Sequence, residues 1–257
     1  MPRNTTPFFF RNLSEDKGQT MDIMKLAPES AQIGGRDVEM VTESAHRTAS
    51  VSKTKRKPIY EFFKRILDIL IALAAFVIGS PIYLWVVMKM RKHDPGPIFY
   101  YHTRLGRNGK EFKCYKFRTM VPDAEDILKK RPELMKEFTE GYKLKNDPRI
   151  TPLGQYLRKT SLDELPQFYN ILRGEMSFIG PRPVVPPEIE RYGTHAKKLL
   201  SVKPGLSGMW QAYGRSSTTY QERIELDMIY IDHRSLLLDA KLIYMTILAV
   251  LAKRGAC

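Results

Sequence analysis

The run "ILIALAAFVIGSPIYLWVVM", Ile69 to Met88, carries no charged side chain and is as long as the ~20 residues a membrane-crossing helix needs. A soluble helix keeps a polar face and has no use for such a run, so a membrane is the expected surrounding. Gly79-Ser80-Pro81 falls in its middle. Proline has no amide to offer the carbonyl of Val77, and its ring crowds that oxygen, so a kink or break is expected at Ser80-Pro81. The Ser80 hydroxyl is placed to satisfy the freed carbonyl.

Flanking charge argues against a straight crossing. Lys53, Lys55, Arg56, Lys57, Lys64 and Arg65 precede the run, and Lys89, Arg91 and Lys92 follow it. Basic flanks favour the cytoplasmic side, and both ends carry them. A re-entrant helix that dips in, bends and returns satisfies both flanks, whereas a kinked crossing helix satisfies one. Ahead of the run, "FFKRILD" sets Lys64 and Asp68 at i, i+4 with Arg65 beside them. At the depth of lipid phosphates they form either a site for a phosphorylated lipid head or a set of snorkelling anchors.

The remainder of the chain is strongly basic. A net charge of +14 calls for a polyanionic partner: nucleic acid, an anionic membrane or phosphorylated substrates. No helix-turn-helix, RNP or zinc signature supports nucleic acid. Cys114 and Cys257 form neither a CxxC pair nor a Cys/His cluster, which points away from disulfides and zinc and toward a reducing cytoplasm. The opening "MPRNTTPFFFRN" has no apolar h-region and does not read as a secretory signal. Thr, Ser, Glu, Pro and Gly without periodicity continue to Ser52, so residues 1–57 are expected to be a weakly ordered polar tail. Residues 58–94 then form the basic flank and re-entrant helix, and residues 95–257 a cytoplasmic domain.

Within that domain "IFYYHTRLGRNGKEFKCYKFRTM" predicts a β-hairpin turning at Asn108-Gly109. Period-two alternation puts Lys116 and Arg118 on one face, as candidates for phosphate binding, and Tyr115 and Phe117 on the other. "DAEDILKKRPELMKEFTEGYKLKN" is helix-prone, charged and broken by Pro132, a candidate cover. Leu242 to Ala252 near the end are too few to span a bilayer and predict a core or interfacial helix. The expected class is α+β, mostly helical.

Adjacent carboxylates in this basic surround are the strongest sign of chemistry. "TSLDELPQ" places Asp163 and Glu164 just before Pro166. Ser161 and Glu164 fit a capping box, but proline suits the first position of a helix, so a start at Pro166 leaves both carboxylates outside it. Spacing alone leaves cap and active site open. Arg158, Lys159, Arg173 and Arg182 surround them in sequence. Arg182 lies between Pro181 and Pro183, which hold its backbone extended and its fork of donors ready for a phosphate. Downstream, "KPGLSGMWQAYGR" offers Lys203, Gln211 and Arg215 around glycines and Trp210, the makings of a nucleotide loop.

Taken in order, "FFKRILD", "GSP", "YKFRTM", "TSLDELPQ", "MSFIGPRP" and "KPGLSGMWQAYGR" resemble the bacterial sugar transferases, the monotopic polyprenyl-phosphate phosphoglycosyl transferases. The resemblance covers Phe62 to Leu251. It implies transfer of a sugar-1-phosphate from a UDP-sugar to a polyprenyl phosphate such as undecaprenyl phosphate, with release of UMP. It further implies a covalent phosphosugar on Asp163, Mg²⁺ held with the help of Glu164 and Asp163, phosphate contact by Arg182, and a re-entrant helix at the cytoplasmic face of the inner membrane. Homo-oligomers are compatible with it. Ser207 stands where threonine is usual, and Met209 and Ala212 replace other apolar residues. A non-catalytic protein that binds anionic lipids would explain the basic flanks, but it leaves Asp163, Glu164 and Arg182 without a role.

Overall fold

A computed structural model describes residues 57–94, 96–141, 144, 147–213 and 219–251. Arg215, and the tail expected over residues 1–57 apart from Lys57, lie outside them. Helix α1, Pro58–His93, opens with proline in its first turn and closes on Arg91, Lys92 and His93, the residues that suit its two ends. Its backbone stays helical through Pro81. The expected interruption is therefore absent as a break in the helix, because the Ser80 hydroxyl donates to the Val77 carbonyl at 2.9 Å and supplies the bond that Pro81 cannot.

One face of α1 is apolar and exposed along its whole length, from Ile59 and Phe62 through Leu70 and Val77 to Met88. The opposite face is fastened to the domain. Lys57 donates to the Arg234 carbonyl at 2.9 Å, Lys64 pairs with Asp239 at 2.7 Å, and Asp68 accepts from Ser177 Oγ and the Phe178 amide, both at 2.9 Å. Beyond Pro81, the Tyr83 hydroxyl donates to the Leu165 carbonyl, Val86 and Met90 are buried, and Asp94 pairs with Arg118 at 2.8 Å. Both halves of the helix thus rest on the same domain.

Strands β1, Phe99–Leu105, and β2, Glu111–Phe117, form the predicted antiparallel hairpin, in register from Phe99 opposite Phe117 to Leu105 opposite Glu111. Its turn includes a 3-10 segment, Arg107–Gly109, in which Asn108 (φ 60°) and Gly109 (φ 73°) take the left-handed conformation that made this pair a turn signal. Helices α2, Ala124–Lys129, and α3, Pro132–Gly141, divide at Pro132 as expected. Helices α4, Pro152–Thr160, and α5, Gln167–Arg173, bracket the paired carboxylates.

The second half builds on a short parallel pair, β3 (Ser177–Ile179) and β4 (Gly205–Ser207), with α6 (Ala196–Leu199) and α7 (Met209–Tyr213) beside it. Helices α8, Tyr220–His233, and α9, Leu236–Leu251, close the fold. Leu238 and Leu242 of α9 are buried while Tyr244, Ile247 and Leu248 are exposed, the two-faced pattern of an interfacial helix. One core cluster joins Ile179, Tyr192, Met209, Ile229 and Leu242 across this half. Another docks Ala72 of α1 among Phe112, Cys114, Phe168, Ile171 and Met176.

Where β3 leaves the sheet, backbone meets backbone. Gly180 donates to the Ser207 carbonyl at 2.9 Å and Gly205 to the Pro181 carbonyl at 2.8 Å. A Cβ on Gly180 would come within 2.7 Å of the Gly205 nitrogen, so only glycine fits. This crossing fixes the start of the Pro181-Arg182-Pro183 segment.

Candidate active site

Helix α4 ends as Ser161 turns left-handed (φ 58°) and sends the chain into one 3-10 turn, Leu162–Glu164. The Ser161 side chain makes no cap bond. Glu164 instead meets Lys116, whose Nζ lies 2.5 Å from Glu164 Oε1. The capping box is therefore not formed. Helix α5 starts at Gln167 with Pro166 as its N-cap, one residue from the expected start.

Lys116 reaches the pair because the face of β2 that turns Phe112 and Cys114 inward brings Lys116 to the domain's inner edge. Asp163 is buried, 8% exposed, and its Oδ2 is 3.6 Å from Lys116 Nζ, beyond hydrogen-bond distance. Burial pushes the Asp163 carboxyl above its ordinary range, and the charge of Glu164 adds to that push against Lys116 and Arg158. Burial acts on Glu164 in the same direction, but there the Lys116 ammonium outweighs it and, with Arg182, holds the carboxyl below its ordinary range. For Lys116, burial opposes the charge and the two carboxylates override it, raising its pKa. Neighbouring carboxyls are thus tuned apart, which suits a division of roles.

Arg158, on the last turn of α4, donates through Nε to Thr119 Oγ1 at 2.9 Å, and its charge acts on Asp163. Arg182 stacks on Trp210 with its guanidinium carbon 5.6 Å from the ring centre, and its field reaches Glu164. Gln211 follows Trp210 on α7. Asp163, Glu164, Lys116, Arg158 and Arg182 therefore converge, with Gln211 alongside Arg182's aromatic support.

Other expected site residues are elsewhere. Arg118 is buried and held by Asp94 and by the carbonyls of Asp94, Pro97 and Met120 at 2.6–3.1 Å, clamping the end of α1 to the hairpin. The structure thus engages Arg118 away from Lys116: β2 ends at Phe117, and the alternation that paired the two does not continue. Lys203 lines a different cleft, next to Arg65 and Arg107. Lys64 bonds to Asp239 rather than to Asp68, whose carboxylate stitches α1 to β3. Arg65 gives its two terminal nitrogens to the carbonyls of Ile171 and Leu172 at the end of α5. Ser207 bonds Thr246 at 2.7 Å, so its hydroxyl serves the docking of α9.

A network the sequence reading missed stands behind Arg182. Arg104 donates to the Pro183 carbonyl at 3.0 Å, and Arg223 lies over the far side of the same aromatic cluster, 5.4 Å from the Trp210 ring centre and 5.1 Å from that of Tyr220. Burial pushes Asp227, which accepts from the Tyr192 hydroxyl at 3.0 Å, up to about 7. An arginine and an aspartate at i, i+4 inside a helix, Arg223 and Asp227, were the available signal.

Among the described residues no group of three or more His, Cys, Asp or Glu side chains is placed to hold a metal. Asp163 and Glu164, two adjacent carboxylates, fit the habit of Mg²⁺, which takes one or two carboxylates and completes its shell with water and substrate phosphates.

Carboxylates tuned apart among fixed cations sit on a domain strapped to a helix long and apolar enough to cross a membrane, features that suit a membrane-associated enzyme. Residues 59–253 match the bacterial sugar transferase family, and the chain belongs to it. It is 45% identical over 204 residues to the exopolysaccharide production protein ExoY of Sinorhizobium fredii, covering 78% of this chain and 90% of that protein. It is 36% identical over 255 residues to the undecaprenyl-phosphate galactose phosphotransferase of Salmonella typhimurium, covering 98% of this chain and 53% of the other. A UDP-N-acetylgalactosamine-undecaprenyl-phosphate N-acetylgalactosaminephosphotransferase of Aeromonas hydrophila is 34% identical over 205 residues, 77% of this chain and 46% of its own. The chain spans about half the length of the last two relatives. It is a transferase.

Proposed function

We propose that this chain transfers a sugar-1-phosphate from a UDP-sugar to a polyprenyl phosphate such as undecaprenyl phosphate, releasing UMP and starting the assembly of a surface glycan. The observation that carries the reading is the state of Asp163: buried, destabilised as an anion, and passed over by Lys116, which bonds Glu164. A carboxylate oxygen of Asp163 attacks the sugar-bearing phosphorus. The bond from that phosphorus to the bridging oxygen breaks, and UMP leaves with the electron pair. An oxygen of the polyprenyl phosphate then attacks the same phosphorus, frees the Asp163 carboxylate and leaves a polyprenyl diphosphate sugar.

The chain's cations make such an encounter between anions feasible. Arg182, fixed by its prolines and by Trp210, receives the diphosphate, and the charge of Arg158, which acts on Asp163, helps to offset that of the attacked centre. Lys116 keeps Glu164 ionised. Asp163 and Glu164 would hold Mg²⁺, which neutralises diphosphate charge when bound. A monotopic placement at the cytoplasmic face is supported by the basic flanks and by both halves of α1 resting on one domain.

The test is a single-turnover assay with UDP-sugar and Mg²⁺ but no lipid acceptor. The reading expects UMP in an amount set by enzyme concentration and a protein heavier by one phosphosugar, mapped to Asp163. Neither signal appears with Asp163→Asn. An adduct on Glu164, or full turnover by folded Asp163→Asn, overturns it. Release of UDP in place of UMP excludes phosphosugar transfer.

A further inference from the structure

A cleft opens between the first turns of α1 and the β3–β4 edge, and the converging site residues around Asp163 do not line it. Its cations are Lys64, Arg65, Arg107, Lys203 and Arg234, and its carboxylates are Glu61 and Asp68. Those carboxylates are already engaged. Glu61 accepts from Arg107 at 2.8 Å, and Asp68 accepts from Ser177 and Phe178.

Lys64 is paired with Asp239, and the charge of Arg65 and Lys203 is only partly offset. Arg65 meets two carbonyls, whose partial charges do not cancel a guanidinium, and Lys203 Nζ has no hydrogen-bond acceptor among the described residues. The two come together over Gly174: a Cβ built there would be 3.4 Å from Arg65 Nη2 and 3.5 Å from Lys203 Nζ. Burial holds the Lys203 ammonium below its ordinary range, with Arg65 and Arg107 adding to the effect against Asp68 and Glu61. An anion in the cleft would offset the mutual repulsion of Lys203, Arg65 and Arg107.

The surroundings say which anion. On α1, immediately beside the lining positions, Phe62 is 63% and Phe63 51% exposed, with Ile66 at 42%. A cationic hollow bordered by an exposed apolar rail complements a molecule with a charged head and hydrocarbon tails. We propose that this cleft binds the phosphate of an anionic membrane phospholipid between Lys203 and Arg65, with Arg107 at its rim and the acyl chains along Phe62, Phe63 and Ile66. The site performs no chemistry and does not depend on the reaction proposed above. It seats the helix at a defined depth.

The experiment uses the full chain in neutral detergent, with its unfolding temperature followed as phosphatidylglycerol, phosphatidylcholine or inorganic phosphate is added at equal phosphate concentration. A ligand that binds only the folded state raises that temperature by mass action. Phosphatidylglycerol should raise it most. Lys203→Ala should weaken half-saturation about tenfold, as expected for one charge-assisted hydrogen bond, while Lys203→Arg keeps most of the effect and Arg107→Gln loses part of it. Equal shifts in wild type and both charge-removing variants, or no shift with any addition, overturn the site. Inorganic phosphate matching phosphatidylglycerol overturns the lipid assignment. UMP release is measured separately, so either reading can fail alone.

Discussion

Asp163 and Glu164 are adjacent in the chain, yet one is destabilised by ionisation and the other stabilised by it. The raised pKa of Asp163 means that the folded protein holds this proton more tightly than the unfolded chain does. Its contribution to stability is full when the carboxyl is protonated and is lost as pH rises through the raised value. Asp163→Asn, neutral at every pH, should therefore abolish UMP release while raising the melting temperature near neutral pH; a clear fall in melting temperature would contradict the electrostatic account. The same shift sets a kinetic limit. Attack requires the carboxylate, so single-turnover UMP release should decline on the acid side as Asp163 protonates, and raising the Mg²⁺ concentration should move that decline to lower pH. For Arg182, lysine keeps the charge but loses the planar fork and its stacking on Trp210. Arg182→Lys should cost about a hundredfold in turnover, the scale of one lost transition-state donor, and near-normal turnover would make Arg182 a structural residue.

The elements around those residues were legible where local chemistry decides the backbone. Asn108-Gly109 announced the hairpin, Pro132 the division of α2 from α3, and Pro166 the start of α5. Side-chain destinations were less legible. Arg118 was placed with Lys116 by extending the strand's alternation past its last residue, Phe117. Lys203 was grouped with its sequence neighbours in the glycine-rich loop, whereas β4 separates it from them and turns it to the first turns of α1. Arg104, Arg223 and Asp227 are brought together by tertiary packing that no local pattern encodes. At Pro81 propensity argued for a break, but one serine hydroxyl preserved the helix. A further test lies in the packing of α4: a Cβ on Gly154 would sit 2.0 Å from the Thr119 carbonyl oxygen. Gly154→Ala should cost about 1–3 kcal/mol in denaturant unfolding, as overpacking does. It should also slow turnover, since Arg158 is positioned through Thr119; unchanged stability would mean that α4 can shift freely.

At the scale of the molecule, α1 and the domain are one unit, with the apolar face of the helix left for lipid. Cysteines placed at Lys57 and Lys92 should both react with a membrane-impermeant maleimide from the cytoplasmic side alone. Labelling from opposite sides would restore a crossing helix. The clasp between the two ends of the chain also bears on the order in which the protein is made. Lys57, Tyr60 and Lys64 find their partners, Arg234 and Asp239, only 175 to 179 residues later. At ~5–20 residues per second of synthesis, that interval lasts on the order of ten seconds or more. The helix leaves the ribosome long before the surface that will hold its first turns exists, so bilayer or chaperone is its first companion. A nascent chain stopped short of Arg234 has Arg107 for Glu61 but lacks the partners of Lys57, Tyr60 and Lys64, and the late helices α8 and α9 complete the fastening of α1.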